Sequence, residues 1–250
     1  MWLGANKNNE EKPLNLKWIS GPIRFLGIYI GHNPIDVFHF NFKPRIEKLK
    51  LNLNRWKQRK LSLLGKILIV KSLGVSQFLY LSKFVSVPNE MIKTINRIIY
   101  KFIWGSNIDK VKRNTMIQEF HNGGMKMIDI EALFKAQKIK WVNRYIMNHN
   151  SYWTVTMEKL ISVKNLKVLL MSNFDNRKIK CSSAFYKELL QILCEVKHVN
   201  DEHLNLGNQF IYYNENVKIN NKYVYNEYML QAGMWFISDL YKNGNIIRFF

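Results

Sequence analysis

The sequence predicts a mainly α-helical protein that begins with a small β-hairpin. Apolar residues recur at steps of three and four over several long stretches, which is the spacing of one face of a helix. Gly, Pro and Asn residues typical of turns separate these stretches. The chain has 250 residues, of which 47% are hydrophobic and 14% aromatic, so it can bury a core. Its length suits one large domain or two modest ones.

The hairpin prediction depends on residues 14–31. Two short apolar segments, residues 14–19 and residues 25–31, have the composition of strands. Between them, residues 20–22 have the sequence Ser-Gly-Pro, which is typical of a turn. We therefore expect a strand on each side of this tripeptide, and the pattern changes to that of a helix after Pro34.

Two helices are predicted after Pro34. The first has an apolar stripe, and its lysine and arginine residues lie on the other faces. Ser62 is the predicted N-cap of the second, because its hydroxyl can accept an otherwise unpaired backbone N–H. This second helix extends to about Phe84 and is weakened by Gly65 and Gly74. The stripe of the first helix consists of Phe42, Ile46, Leu49, Leu53 and Trp56.

Pro88 and Asn89 predict the start of a third helix, with Asn89 as its cap. Basic residues follow at every fourth position on a polar face of this helix, namely Lys93, Arg97 and Lys101. This face is either a second row of phosphate contacts or an ordinary solvated surface. The apolar stripe of the helix consists of Ile92, Ile95, Ile99, Phe102 and Ile103.

The remaining pattern is less regular. Residues 105–113 have the composition of a loop, and the Asn-Gly-Gly sequence at residues 122–124 predicts a tight turn with positive φ. Helices are expected from Asp129 to about Met147 and over residues 182–197. Residues 207–226 are rich in Asn, Tyr and β-branched residues and predict a loop with short strands.

The whole chain has a net charge of +20, and the positive charge is concentrated in its first two-thirds. Residues 43–71 contain ten lysine or arginine residues and one acid, Glu47, whereas residues 201–250 contain four bases and five acids. Such a cluster binds nucleic acid, binds an anionic membrane surface, or is only a solvated face. Nucleic acid is the favoured partner, because a basic patch on an ordered domain is its usual electrostatic signature.

Neither membrane insertion nor secretion is expected. No uninterrupted apolar run approaches the roughly 20 residues that cross a bilayer. The first residues lack the basic flank and apolar core of a secretory signal. Two cysteines in so long a chain do not make a disulfide framework, so a reducing compartment, cytoplasm or nucleus, is expected.

The order of several segments resembles the LINE-type (non-LTR retrotransposon) reverse transcriptases, in the region that follows their catalytic palm. These segments are FLGIYIG, then W-x-x-R-x-L-S-L-x-G-K-I-x-I-x-K from Trp56 to Lys71, then FIWG at residues 102–105 and GGMKMIDI at residues 123–130. The similarity continues through the helix that contains Trp141 and into the tail from residue 212. The tail residues that carry it are Asn214, Gly233, Asp239, Leu240 and Gly244.

The resemblance implies three regions. Residues 1–33 would be a remnant of the hairpin that closes the palm and borders the primer 3′ end. Residues 34–105 would form a thumb-like helical domain that holds the primer–template duplex. Residues 106–250 would be a second, post-thumb helical region, truncated at its C-terminus, whose proposed role in the family is binding template RNA or target DNA. The partners implied are therefore RNA or DNA and a missing upstream palm domain, in the cytoplasm, the nucleus or both.

The predicted function of the basic residues is sequence-independent contact with phosphate groups. The alternative is a solvated helix face. Trp56 lies on the apolar stripe, which favours core packing over base stacking. The predicted nucleic-acid-binding residues are Arg55, Lys57, Arg59, Lys60, Lys66, Lys71, Lys93, Arg97 and Lys101.

No catalytic residue is predicted. Reverse transcriptases need paired aspartates in a Tyr-x-Asp-Asp turn to hold two divalent metal ions, and this sequence contains no Asp-Asp pair. The resemblance puts the catalytic aspartates upstream of Met1. We therefore expect that this chain alone does not polymerise nucleotides and needs no cofactor, and that a divalent metal such as Mg²⁺ belongs to the full enzyme only.

Other chemical sites are not supported by the sequence. The phosphate-loop motif around Gly65 and Lys66 fails, because residue 60 is Lys and residue 67 is Ile. No G-x-S-x-G motif occurs. A C-x12-C-x3-H-x4-H spacing lacks the close first pair of zinc sites, so no metal site is predicted; its members are Cys181, Cys194, His198 and His203. Two alternatives to nucleic-acid binding stay open, a stand-alone helical interaction or structural domain and a non-functional retroelement relic.

Overall fold

The computed structural model confirms a mainly α-helical fold over the residues that it describes. The chain divides into two compact units, Met1–Phe134 and Lys135–Phe250, each of which has its own apolar core. The domain boundaries that the sequence predicts, at residues 33 and 105, stay predictions. The residues described are 21–147, 151–161, 163, 165–201, 206–242 and 245–246.

The first unit begins with an antiparallel hairpin of β1 (Ile23–Phe25) and β2 (Ile28–Ile30). The predicted position of its turn, residues 20–22, is wrong, because the chain reverses at Leu26 and Gly27, whose φ angles are 47° and 80°. Positive φ at both central positions is the requirement of a type I′ hairpin turn, which glycine allows and which the ring of proline prevents. The other predicted strand, residues 14–19, lies outside the described residues.

Helices and their connecting loops follow the hairpin, and the last of these helices begins in the first unit and continues past Phe134. The predicted cap of α2 is confirmed, since Ser62 Oγ accepts a hydrogen bond from the backbone N–H of Gly65 at 3.1 Å. The predicted cap of α4 is wrong: its N-cap is Pro88, whose carbonyl oxygen accepts from the N–H of Met91 at 2.9 Å, and Asn89 is the first helical residue. The helices are α1 (Pro34–Lys57), α2 (Leu63–Ile69), α3 (Ser76–Ser82), α4 (Asn89–Trp104), α5 (Arg113–Ile117) and α6 (Ile130–Met147).

The predicted apolar stripes meet in the core of the first unit. Phe42 and Leu49 of α1 are fully buried, as are Ile95 and Ile99 of α4, and Trp56 packs at the edge of this core as expected. Burying large apolar side chains of this kind is the main favourable contribution to folding. The two stripes therefore bring α1 and α4 against each other and leave their polar faces at the surface.

A π-helical segment, Val70–Val75, joins α2 and α3 into one long helical stretch. By length and composition the residues 63–82 could cross a membrane, which differs from the expectation that no segment of the chain could do so. One such helix is weak grounds for a membrane span, and Ile67, Val70 and Phe78 of this stretch lie in the core of the unit. One side of this stretch therefore belongs to the core, whereas Leu64, Leu68 and Leu73 are exposed.

A compact loop follows α5 and packs onto the same core through Met127, as α5 does through Met116. Gly123 has a φ of 74°, which confirms the predicted tight turn. Gly124 is buried, and a Cβ atom at this position would lie 2.0 Å from the carbonyl oxygen of Gln118. Only glycine permits so close an approach of two backbone segments.

In the part of the second unit that the structure describes, four further helices and two short hairpins occur. The predicted helix over residues 182–197 and the short strands within residues 207–226 are both confirmed. One apolar cluster surrounds Leu189 of α9, and another surrounds Phe210 and Tyr212. The elements are α7 (Tyr152–Ile161), α8 (Leu166–Met171), α9 (Ala184–Asp201), β3 (Lys218–Ile219), β4 (Lys222–Tyr223), α10 (Glu227–Gln231), β5 (Tyr241–Lys242) and β6 (Asn245–Ile246).

Candidate nucleic-acid interface

A groove of about 510 Å³ lies between α1 and α4, with an apolar floor that includes Leu51 and Ile98 and with polar and charged side chains in the rest of its lining. Three predicted residues line this groove: Lys57 from α1, and Arg97 and Lys101 from α4. The structure thus brings Lys57 to the same groove as two predicted residues that lie far from it in the sequence. Asn54 and Lys50 also line this groove, about one and two helical turns before Lys57 on the same face of α1. The core contact between the two helices is what sets these cations side by side.

A second groove, of about 550 Å³, lies between α4 and the loop that follows it. Its lining includes all three basic residues of the predicted row on α4 and, from the first position of α5, Arg113. The two grooves share Arg97, Lys101 and Asn107 and are therefore contiguous. We call their polar lining the α1–α4 surface, which comprises Glu47, Lys50, Asn54, Lys57, Lys93, Asn96, Arg97, Tyr100, Lys101, Asn107, Asp109 and Arg113.

Positive charge is in excess on the α1–α4 surface. Its two acids are each paired, Glu47 with Lys50 at 2.9 Å and Asp109 with Arg113 at 2.7 Å. Lys93 forms an ion pair with Glu90 at 3.3 Å, but both side chains are largely exposed, so this pair contributes little. Within the described part of the chain, the side chains of Lys57, Arg97 and Lys101 have no hydrogen bond or ion pair, so these three cations are open to an anionic ligand.

Arg113 is held in a defined position at the second groove. Its guanidinium carbon lies 4.4 Å from the centre of the Tyr100 ring, while its Nε donates to Asp109. Burial raises the pKa of the Tyr100 phenol, and the charge of Arg113 opposes this only in part, so the ring stays neutral. A planar guanidinium stacked on an aromatic ring loses little freedom when it binds a phosphate.

The rest of the predicted basic cluster does not line these grooves. Arg55 is two positions from Lys57, so the two side chains point from different faces of α1. The Arg59 guanidinium lies 4.7 Å from the centre of the Trp56 ring. Lys60 follows the end of α1 and is exposed. As a result, the cluster from Arg55 to Lys60 is spread around the end of the helix, and its role in binding stays a prediction.

Lys66 and Lys71 occupy other environments. The Lys66 ammonium donates to the carbonyl oxygen of Ile103 at 2.9 Å, in the last turn of α4. A cation in this position satisfies an end carbonyl and complements the helix dipole, so it ties α2 to α4. Lys71 lies half-exposed in the π-helical segment. Phosphate binding by either lysine stays a prediction.

Sequence reasoning missed Lys50, Arg113 and the three asparagines of the α1–α4 surface. The position of Lys50 could have been predicted, since it precedes Lys57 by seven residues and so lies on the same face of the helix. The position of Arg113 could not have been predicted from the sequence pattern, because this residue reaches the groove only through the path of the loop after Gly105. Its neighbours in space are four or more residues away in sequence.

No group of three or more His, Cys, Asp or Glu side chains that could hold a metal ion occurs in the described residues. Cys181 and Cys194 are free thiols, and Cys194 Sγ donates to Asp175 Oδ1 at 3.3 Å. Burial is the first cause that raises the pKa of the Cys194 thiol, and the Asp175 carboxylate raises it further. The side chains of His198 and His203 lie outside the described residues.

Comparison with known proteins gives two partial similarities, and no family model matches the chain. Over 129 residues, 49% of the chain, it is 21% identical to a "putative ribonuclease H protein" of Arabidopsis thaliana. Over 136 residues, 53% of the chain, it is 26% identical to the "Transposon TX1 uncharacterized 149 kDa protein" of Xenopus laevis. The matched parts span 20% and 10% of these two relatives. The similarities support a retrotransposon-related origin for this chain.

Proposed function

We propose that this chain binds the sugar–phosphate backbone of a nucleic-acid duplex through the α1–α4 surface, as the thumb-like part of a non-LTR retrotransposon reverse transcriptase. The observation that carries the proposal is the convergence of Lys57, Arg97 and Lys101, from two helices, on contiguous grooves. Similarity to a transposon protein supports the retrotransposon-related origin that the proposal assumes. The duplex is proposed to be the primer–template, RNA or DNA.

Binding is electrostatic in this proposal. Each phosphate that a lysine or arginine neutralises releases condensed counterions, which drives association and makes it depend steeply on salt. Arg97 is shared by both grooves, and its fork of donors suits the paired oxygens of a phosphate. Asn54, Asn96 and Asn107 add neutral amide donors beside the cations. Such contacts fix the position of the duplex and do not read its sequence.

The chain is proposed to be a non-catalytic part of a larger enzyme. Its six aspartates are isolated along the sequence, so none forms the Asp-Asp pair that the polymerase reaction needs. In the proposal, an upstream palm domain carries the catalytic aspartates and the Mg²⁺ ions, and this chain holds the product of the reaction. The proposed sites of action are the cytoplasm, where such proteins assemble on RNA, and the nucleus.

Replacing Lys57, Arg97 and Lys101 together by Gln tests the proposal. The log–log salt slope of duplex binding should become shallower by about three, roughly one unit for each lost phosphate contact. The matched control replaces three exposed lysines of the second unit by Gln and removes the same charge: Lys180, Lys187 and Lys222. Fluorescence anisotropy over a salt series measures both slopes. Equal changes in the two variants, or a loss confined to one duplex sequence, would contradict contact with phosphates by this surface.

A protein-interaction role is the second candidate, and an apolar groove favours it. The groove has a volume of about 640 Å³ and lies beside the N-terminal hairpin, where Phe25 and Leu26 are 61% and 74% exposed. Tyr80 and Phe84 line its other side. The partner that the proposal assigns to it is the upstream palm domain. Failure of the chain to bind any duplex at low salt, with a cooperative thermal transition, would favour this second role.

A further inference from the structure

A small cavity in the second unit has an unusual lining of amide and aromatic side chains. Its volume is about 270 Å³, and its lining includes Asn173, Asn208, Gln209 and Asn214 together with Phe210 and Phe236. This volume lies just below the roughly 300–1,000 Å³ of pockets for drug-sized ligands. A flat group of one or two rings therefore suits its size. We call this cavity the amide pocket.

Asn214 organises the wall of the amide pocket. This side chain is buried, and its Oδ1 accepts from Asn173 Nδ2 at 2.9 Å and from the N–H of Asn216 at 2.8 Å. Its Nδ2 donates to the Phe210 carbonyl oxygen at 2.6 Å and to Gln209 Oε1 at 3.4 Å. All four hydrogen-bonding positions of the amide are therefore occupied, so Asn214 is a positioning residue and not a ligand contact.

Two other amides keep free hydrogen-bonding capacity. Gln209 uses its Oε1 as an acceptor, but its Nε2 has no partner among the residues that the structure describes, and the same is true of the Asn208 side chain. Gln209 therefore offers its Nε2 donors to an acceptor atom on the edge of a nucleobase, and the Asn208 amide offers both a donor and an acceptor. The pocket thus presents a hydrogen-bonding edge that the protein itself leaves unused.

The aromatic walls stand at right angles. The Phe236 and Phe210 ring centroids are 6.0 Å apart with an interplanar angle of 82°. Phe236 is 43% exposed, and its backbone is held because Asp239 Oδ2 accepts from its N–H at 2.8 Å. A planar ligand can therefore stack on Phe236 while its edge meets the amides. Neither lysine nor arginine is among the pocket-lining residues, so the pocket suits a neutral group rather than a phosphate.

We propose that the amide pocket takes one unpaired base of a single-stranded nucleic acid, stacked on Phe236 and hydrogen-bonded by Gln209. Single strands are recognised in this way elsewhere, by bases turned onto aromatic rings with amides at their edges. The inference rests on the proposed function for its ligand class, since it assumes that the chain meets nucleic acid. It extends that function from duplex backbone to a base beyond the duplex.

The test compares Phe236→Ala and Gln209→Ala in the full chain with the unaltered chain. The probes are single-stranded RNA and DNA homopolymers and an abasic oligonucleotide with the same number of phosphates. Phe236→Ala should weaken binding to at least one base-containing strand about tenfold and leave abasic binding unchanged. The control is Tyr228→Ala, which removes an aromatic ring that is 84% exposed in the same unit and outside the pocket.

Equal effects of Phe236→Ala on base-containing and abasic strands would overturn the base pocket, as would no effect on any strand. Unchanged thermal unfolding and unchanged duplex binding should show that each variant is folded. The duplex salt slope depends on the first unit and is measured on separate variants, so the two proposals can fail independently. If the salt slope of duplex binding is as predicted but base-containing and abasic strands bind equally well, only the proposal for the amide pocket is rejected.

Discussion

A substitution at Lys66 can show whether this lysine stabilises the fold or binds phosphate. Its ammonium donates to the Ile103 carbonyl oxygen, and a hydrogen bond from a charged donor is worth about 1.5–3 kcal/mol. We expect Lys66→Met to lower the free energy of unfolding by about this amount, measured by urea denaturation. Its effect on duplex affinity should be smaller than that of Lys57→Gln. A large affinity loss with unchanged stability would instead make Lys66 a phosphate contact.

Glu215 makes the second unit sensitive to acid. Burial alone would raise the pKa of this carboxyl group, but hydrogen bonds from Lys218, Tyr223 and Lys178 lower it to about 2, against an ordinary 4.5. A lowered folded-state pKa stabilises the protein above the unfolded pKa, and this stability is lost as the pH falls from 4.5 towards 2. Glu215→Gln should therefore unfold more easily than the unaltered chain at pH 7.

Unfolding of both proteins over a pH series measures this contribution. The difference in unfolding free energy should be constant above about pH 5 and should shrink steadily below it. Lys187→Gln is a control for the loss of an exposed charge in the same unit. A difference that stays the same from pH 7 to pH 2.5 would show that Glu215 does not contribute through its charge.

At the level of elements, the contact between α1 and the π-helical segment depends on Gly74. A Cβ atom at Gly74 would lie 3.2 Å from Leu49 Cδ1, which is a tight contact. We expect Gly74→Val to cost about 1–3 kcal/mol by overpacking. Leu49→Ala should cost about 2–5 kcal/mol, since it leaves a cavity at a fully buried position.

The double variant tests whether these two residues are coupled. The valine at position 74 should cost less when Leu49 is already Ala, because the space that it needs is then open. Leu73→Val is the matched control for a β-branched residue at the neighbouring, exposed position. Strictly additive costs in denaturant unfolding would contradict a direct contact between α1 and this segment.

Helix positions could be predicted from sequence where a period of 3.6 residues coincided with burial. The stripes of α1 and α4 and the Ser62 cap are all confirmed, because each depends on residues close together in the chain. The hairpin turn and the α4 cap were misplaced, since several local turn and capping patterns competed and the structure uses Leu26-Gly27 and Pro88.

The candidate site was less predictable than the helices. The row Lys93, Arg97 and Lys101 does line one groove, as its four-residue period suggested. Pairing this row with Lys57 required the packing of α1 on α4, and adding Arg113 required the path of a loop. Linear charge density predicted the cluster from Arg55 to Lys60, whose residues are spread around the end of α1, and its role in binding stays a prediction.

For the whole molecule, the account assigns duplex binding to the first unit and binding of an unpaired base to the second. Residues 21–134 carry nineteen lysine or arginine residues and seven acids, and they include the entire α1–α4 surface. The amide pocket belongs to the second unit and contains no cation in its lining. In this account the first unit supplies affinity through charge, and the second supplies contact with a base through stacking and hydrogen bonds.

The salt dependence of duplex binding by the full chain tests the central claim most directly. If about six phosphates are contacted, the logarithm of the association constant should fall with the logarithm of salt concentration at a slope of about −5. DNA, RNA and hybrid duplexes of unrelated sequence should give similar slopes, because phosphates carry no sequence information. A slope near zero would contradict the account, because it would mean that no counterions are released and hence that the cations of the α1–α4 surface do not contact phosphates.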